Sequence, residues 1–193
     1  MCDLSVRPLV AADVPMLLDM LRELAAHTGQ SAAITAQRAD LDEALAEVPP
    51  RFRGLIAEDG SGVVGYLSYT IDYSLWTGGD FIRVDDVYVR ERARGQGVGR
   101  QLMRALADKG VSQDMRVRWE MDPANHGARR FYAAIGAVPR DKTIWNWSVA
   151  AMEAFLDRVD PVPVEGAVPS EAGRGLPGED GFILVLRRGD GQR

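Results

Sequence analysis

"RARGQGVGRQLMRAL", residues 92–106, sets Gly95, Gly97 and Gly99 at alternate positions and runs at once into a helical pattern. Glycines spaced this way let the backbone approach a ligand closely and turn its N–H groups toward it. A helix N-terminus directly behind them adds about half a positive charge. A phosphate or pyrophosphate is the ligand that suits such a loop. A Walker loop ends in Gly-Lys-Ser/Thr, and here Gly99 is followed by Arg100 and Gln101. A dinucleotide fingerprint asks for a small residue where Arg100 or Leu102 stands, and it follows the first strand of a βαβ unit, whereas this loop lies in mid-chain. What remains is R-x-x-G-x-G, Arg94 through Gly99, behind the apolar stretch "FIRVDDVYV" and ahead of an amphipathic helix.

Outward from the loop, apolar periodicity lays out the chain. "LSVRPL" reads as an opening strand, and a helix follows, capped by Asp13, with Pro15 in its first turn and Val14, Leu17, Leu18, Leu21 and Leu24 at helical spacing up to Gly29. A second helix is predicted from about Thr35 to Val48, stopped by Pro49 and Pro50. "GLIAE", the turn "DGSG" and "VVGYLSYTI" read as a hairpin, and "FIRVDDVYV" is the strand that delivers the chain into the loop. Beyond it come a helix from Gly97 to about Lys109, the strand "MRVRWEM", a helix from Asn125 to Ile135 and the strand "TIWNWSV". This is an α/β layout on a mixed sheet. "AMEAFLDRV" reads as an extra helix, residues 160–181 as a Pro/Gly/Glu-rich linker, and "GFILVLRR" as a last strand. The domain division expected is 1–150, with 151–193 as a C-terminal extension.

Composition limits the function. The chain has 193 residues, 46% hydrophobic and 26% charged, enough for one full core. A net charge of -5 gives no basic footprint for nucleic acid or an anionic membrane. No apolar run reaches a membrane span, and the first residues carry no signal-peptide core. The single cysteine, Cys2, cannot form an internal disulfide, so the expected location is cytoplasmic.

A second segment, "NHGARRFYAAIGA", carries N-x-x-A-x-x-F-Y-x-x-x-G with Asn125, Ala128, Phe131, Tyr132 and Gly136 in place. With R-x-x-G-x-G about 30 residues before it and a strand between, the chain over roughly residues 4–149 resembles the GNAT superfamily of N-acetyltransferases. "VDDVYVRERARGQGVG" with "FYAAIGA" is most similar to its spermidine/spermine N-acetyltransferase branch. The resemblance implies a central mixed sheet with splayed parallel strands at the acetyl-coenzyme A site. It implies that Val87, Tyr88 and Val89 pair their backbone with the pantetheine arm. Arg94 and the stretch Gly95, Gln96, Gly97, Val98, Gly99 and Arg100 take the pyrophosphate, and Asn125 and Ala128 belong to the same cofactor side. It also implies direct attack of a free amine on the thioester, with no covalent enzyme intermediate, and a homodimer.

Two proton movements need groups. Tyr132 matches the family tyrosine that protonates the coenzyme A sulfur, and a phenol with an ordinary pKa of about 10 is protonated at neutral pH. A core aromatic is the competing reading of the Phe131–Tyr132 pair. Asp85 matches the glutamate of the related L-E-D strand and is the expected base, through water. Asp86 holds the substrate cation or caps a backbone group, and Glu120 is the reserve base or a solvated or salt-bridged strand carboxylate opposite Arg116 or Arg118. His27 and His126 show no ligand spacing, so no metal site is predicted; His126 reads as a helix-start residue. One of Arg129 and Arg130 meets the 3'-phosphate, or both form a solvated helix face, and Trp145 and Trp147 are predicted to pack along one face of a late strand, with a dimer contact as the alternative. The acceptor expected is a small-molecule amine. A protein N-terminus or lysine as acceptor, or a cofactor-binding sensor without turnover, stays open.

Overall fold

Four antiparallel strands and a fifth, parallel one form a sheet in the order β1-β2-β3-β4-β5 in the computed structural model, which describes residues 4–140 and 143–158. The strands are β1 (Ser5–Pro8), β2 (Arg53–Asp59), β3 (Gly62–Ser74), β4 (Gly79–Val89) and β5 (Val117–Arg118). Between β1 and β2 the chain forms α1 (Val14–His27) and α2 (Arg38–Ala46); α3 (Val98–Ser112) and α4 (His126–Ala134) flank β5 in sequence. Contacts divide the chain after Val138 into two parts.

Each face of the sheet is covered because its strands alternate. Leu67, Tyr69, Ile82 and Val84 pack with Leu102, Met103 and Leu106 of α3 on one side, joined by Phe131 and Tyr132 of α4. Ile56, Tyr66 and Tyr88 pack with Leu17 and Met20 of α1 on the other. The alternation changes parity once in β4. Tyr69 pairs with Val84 but Ser68 pairs with Asp86, so Asp85 is the extra residue of a β-bulge. Ile82 and Val84 face α3 before the bulge, whereas Val87 and Val89 do so after it.

The bulge also ends the parallel pairing. β4 and β5 share only Ile82↔Val117 and Arg83↔Arg118, so the strand predicted over 115–121 is two residues long. A bulged strand bends and twists away from its neighbour, which leaves β4 from Asp85 onward paired with β3 alone among the described residues. This is the splay that the fold was expected to have. No helix among the described residues is long and apolar enough to cross a membrane.

Three local expectations are corrected. Asp13 precedes α1 but its side chain makes no cap bond to that helix; its carboxylate accepts Arg7 at 2.7 and 2.8 Å and the Val10 N–H at 2.9 Å. Arg7 holds the Asp13 carboxyl below its ordinary pKa, so a part-buried ion pair outcompetes the cap. α3 continues past Lys109 through Gly110, where a Cβ would lie 2.9 Å from the Met115 carbonyl oxygen. That glycine admits the returning chain inside the helix. In the part beyond Pro139, residues 143–148 form no strand. There the Ser148 hydroxyl accepts the Ala151 N–H at 3.2 Å and starts α5 (Val149–Leu156). The Trp147 ring meets Phe155 of that helix edge-on at 5.4 Å, so local helix capping and an aromatic pair replace the ladder that a Trp-rich run suggested. Cys2, the linker 160–181 and "GFILVLRR" lie outside the described residues.

Candidate active site

β4 leads from the bulge into the glycine loop, so the carboxylates and the loop share one strand. Gly95 and Gly97 have φ of +75° and +85°, the left-handed region that favours glycine. A Cβ at either position would meet nothing within 4 Å, so open space lies over both. Gly97 is the N-cap of α3 and makes no side-chain cap. The first intrahelical bond runs from the Gln101 N–H to the Gly97 carbonyl at 3.0 Å, so the amides of Val98, Gly99 and Arg100 precede the helical ladder and can serve an anion. Gly99 differs from the other two. Its missing Cβ would sit 3.6 Å from the Phe131 ring, which makes it a packing glycine between α3 and α4.

The residues predicted to take the pyrophosphate are brought together, with one change of emphasis. Arg94 donates through Nε to the Val89 carbonyl at 3.0 Å, and its guanidinium lies 5.9 Å from the Tyr88 ring centroid. It thereby braces the strand end as well as being exposed to solvent. Gln96 donates to the Arg92 carbonyl at 2.8 Å. Val98 is buried, leaving its amide as its polar contribution. Val87, Tyr88 and Val89 pair with Leu67, Tyr66 and Gly65 on the β3 side. A Cβ on Gly65 would lie 2.7 Å from the Tyr88 carbonyl oxygen, so that glycine permits the close approach. The opposite edge of this segment carries no ladder among the described residues, which is the geometry that an extended ligand arm needs.

On the α1 side, the bulge sets Asp85 and Asp86 next to each other without a full alternation between them. Asp85 lies 3.5 Å from Arg83. Burial pushes its carboxyl above the usual range, Arg83 opposes this, and the charges of Asp86 and Asp72 add to the rise. Asp86 is raised too, by burial first, with the Ser68 and Tyr66 hydroxyls opposing. Ser68 Oγ donates to Asp86 Oδ2 at 3.3 Å. Asp86 also lines a cavity of about 270 Å3 whose walls include Leu21, Leu24 and Ala25 of α1 and Ile34 beyond it. A half-buried carboxylate facing a largely apolar pocket suits an alkylammonium ion. Because the folded state raises its pKa, ionised Asp86 opposes folding above that value and has no such effect below its ordinary value of about 4. Asp86→Asn is therefore expected to raise the melting temperature by a few degrees at pH 7 and to leave it unchanged below about pH 4, which calorimetry at both pH values checks.

On the α3 side, the Tyr132 ring lies 4.8 Å from Trp119 and 5.2 Å from Phe131. Burial pushes its phenol above 10, so it is protonated at any physiological pH. Asn125 caps α4, its Oδ1 accepting the Ala128 N–H at 3.0 Å, and His126 begins the helix. Arg129, Arg130 and Glu120 are exposed. Glu120 acts on Arg83 electrostatically, rather than in an ion pair with Arg116 or Arg118. No group of three or more His, Cys, Asp and Glu that could hold a metal occurs among the described residues.

Sequence reasoning missed the cavity, the bulge and the two hydroxyls beside Asp86. It also missed Glu23 of α1, which accepts Tyr88 and Arg90. A larger hollow of about 830 Å3, lined by Leu9, Leu45, Phe52, Arg53, Tyr69 and Lys109 among others, includes none of the predicted site residues.

The sequence pattern of the acetyltransferase (GNAT) family matches residues 17–137. Thialysine N-epsilon-acetyltransferase of Sus scrofa is 33% identical over 155 residues, covering 74% of this chain and 88% of that one. The protein of that name in Mus musculus is 32% identical over 174 residues, covering 86% and 90%. Among solved structures, an aminoglycoside acetyltransferase from an uncultured soil metagenomic sample, in complex with sisomicin, superposes with a TM-score of 0.65 at 16% identity. It covers 76% of this chain and 95% of that one, and shows the fold alone.

Proposed function

The chain belongs to the acetyltransferase (GNAT) family, whose members use acetyl-coenzyme A, and on that premise we propose that it acetylates a primary amine of a small molecule by direct attack. The observation that carries this reading is the continuity of β4, which joins the carboxylate pair, an unpaired strand edge and the glycine loop within fifteen residues, 85 to 99. The open space over Gly95 and Gly97 and the free first-turn amides of α3 fit a pyrophosphate. The edge at Val87, Tyr88 and Val89 fits the pantetheine arm. Bound there, acetyl-coenzyme A supplies the thioester carbonyl that the amine attacks.

In this reading the protein's own groups bind the amine and move its protons. Asp86 holds the ammonium in the apolar cavity, and Asp85, its pKa raised, takes the proton through water. Tyr132 gives its phenolic proton to the departing sulfur. A cavity of about 270 Å3 lined by five aliphatic residues, with Thr28, Gln30 and one carboxylate, favours an amine on a short alkyl chain, of which thialysine, named for the relatives, is one. Release of coenzyme A thiol is the assay. Thialysine, polyamines or amino acids are expected to be accepted and peptides not; turnover with peptides alone overturns the reading. Asp85→Asn is expected to lose rate most at pH 6–7 and to recover as the amine deprotonates unaided, so its rate climbs with pH where the unmodified protein's is already level. A level profile in Asp85→Asn with a climbing one in Glu120→Gln moves the base to Glu120.

The same proposal includes a catalytic domain over 1–150, inside which the family match lies, an extension over 151–193, a cytoplasmic place of action with neither nucleic acid nor membrane as partner, and a homodimer. The homodimer is supported by the turn between β3 and β4, where Leu75 and Trp76 are 89% and 76% exposed beside Tyr73. Light scattering is expected to give about twice the chain mass of 21.1 kDa; the chain mass itself at micromolar concentration overturns it.

A further inference from the structure

We propose that Glu23 is a positioning residue for cofactor binding: it ties the loop-bearing end of β4 to α1, whose neighbouring residues wall the cavity beside Asp86. The proposal rests on reading the glycine loop as the pyrophosphate cradle. Tyr88 sits in the segment whose open edge suits the pantetheine arm, and its side chain crosses to the opposite core, where its hydroxyl donates to Glu23 Oε2 at 3.1 Å. Arg90, the first residue after β4, donates to the same carboxylate through Nε at 3.2 Å to each oxygen and through a terminal nitrogen at 2.9 Å to Oε1. Its other terminal nitrogen reaches the Val63 carbonyl at 3.0 Å, and its backbone N–H reaches that of Val64 at 2.9 Å. The Arg90 carbonyl then accepts the Ala93 N–H at 2.9 Å and starts the turn into the loop.

One carboxylate therefore fixes both residues that bracket Val89, and Arg94 folds back over Tyr88 to close the bracket. Leu21, Leu24 and Ala25, which wall the small cavity, stand on either side of Glu23 in α1. The pair is not a stability device. Its side chains are 25% and 39% exposed, and ion pairs that reach solvent contribute little to folding. What such a fork fixes is direction: two adjacent nitrogens of one planar guanidinium meeting one carboxylate, with the third on the Val63 carbonyl, set the angle at which the strand end leaves the sheet. A strand end free to swing offers its edge to the ligand arm in fewer of its conformations, so the loss falls on affinity.

Glu23→Gln keeps the size of the side chain and one acceptor but removes the charge that orients Arg90. Calorimetric titration with coenzyme A is expected to show a dissociation constant raised by about ten-fold, with the binding stoichiometry unchanged and the melting temperature within a few degrees of the unmodified protein. Tyr88→Phe removes one hydroxyl from the same carboxylate and is expected to weaken binding in the same direction by about three-fold. A merely structural role predicts the reverse, a lowered melting temperature or a reduced stoichiometry with the dissociation constant unmoved. An unchanged constant in the folded Gln or Phe variant overturns the role of Glu23 alone, whereas an unmodified protein that binds no coenzyme A overturns the loop assignment beneath it.

Discussion

Tyr132→Phe is expected to lower turnover by about 10²- to 10⁴-fold, the usual loss when a single general acid is removed, while coenzyme A affinity stays where it is. The substitution is selective because the ring does two jobs that separate cleanly. Its faces pack against Trp119 at 4.8 Å and Phe131 at 5.2 Å, and phenylalanine keeps both contacts. In the proposed mechanism the hydroxyl supplies the proton, and burial favours its neutral form, so the acid is loaded at every pH at which an amine is nucleophilic. For the same reason no alkaline limb from this phenol is expected in the profile of the unmodified protein below pH 10. If Tyr132 is only a core aromatic, removing a partly buried hydroxyl leaves turnover intact. Turnover, affinity and melting temperature measured together decide the matter: full activity removes Tyr132 from the mechanism.

How far the sequence foretold this site depends on whether a feature is local. The glycine loop is legible because left-handed φ at Gly95 and Gly97 is a demand that each residue meets alone. The helix that follows is legible because Leu102 and Leu106 repeat on its buried face. Asp85 and Asp86 are visible as a pair, and the resemblance already implies Asp85 as the base, with Asp86 holding the substrate cation or capping the backbone; what the sequence does not show is the bulge between them. That bulge is set by the pairing of β3 with β4, and a one-residue change of register leaves no mark in a run of alternating residues. Asp13 misled because a carboxylate ahead of a helix is the usual sign of a cap, while Arg7, the partner it takes instead, arrives from β1. The apolar pattern carries α3 only to about Lys109, whereas it runs to Ser112. Gly110 lies inside it, and only the carbonyl of Met115, brought back by the turn, explains a glycine inside a helix. Glu23 left no signal at all: on the pattern of α1 it reads as one more solvated acid, and the two residues it orders lie 65 and 67 positions away.

Gly97→Glu is expected to reduce coenzyme A affinity by about 10²- to 10³-fold, since two like charges about 4 Å apart near a protein surface repel by roughly 4 kcal/mol. The same substitution should damage the fold far less. A Cβ at position 97 meets no atom within 4 Å, so the direct penalty is the left-handed φ of +85°, of order 1–3 kcal/mol for a residue other than glycine. A carboxylate at the N-terminus of α3 offsets part of that, because it interacts favourably with the helix dipole. Folding and binding thus respond differently to one charge. Gly97→Ala supplies the backbone strain without the carboxylate. If the loop cradles a pyrophosphate, the alanine variant loses melting temperature at least as much as the glutamate variant yet binds coenzyme A much more tightly than it does. Raising the salt concentration narrows the gap, because screening weakens the repulsion and leaves the strain untouched. Equal affinities in the two variants at low salt would mean that charge at this position is irrelevant and that the anion, if one binds, sits elsewhere. Unchanged affinity in Gly97→Glu would remove residues 94–100 from the cofactor site altogether.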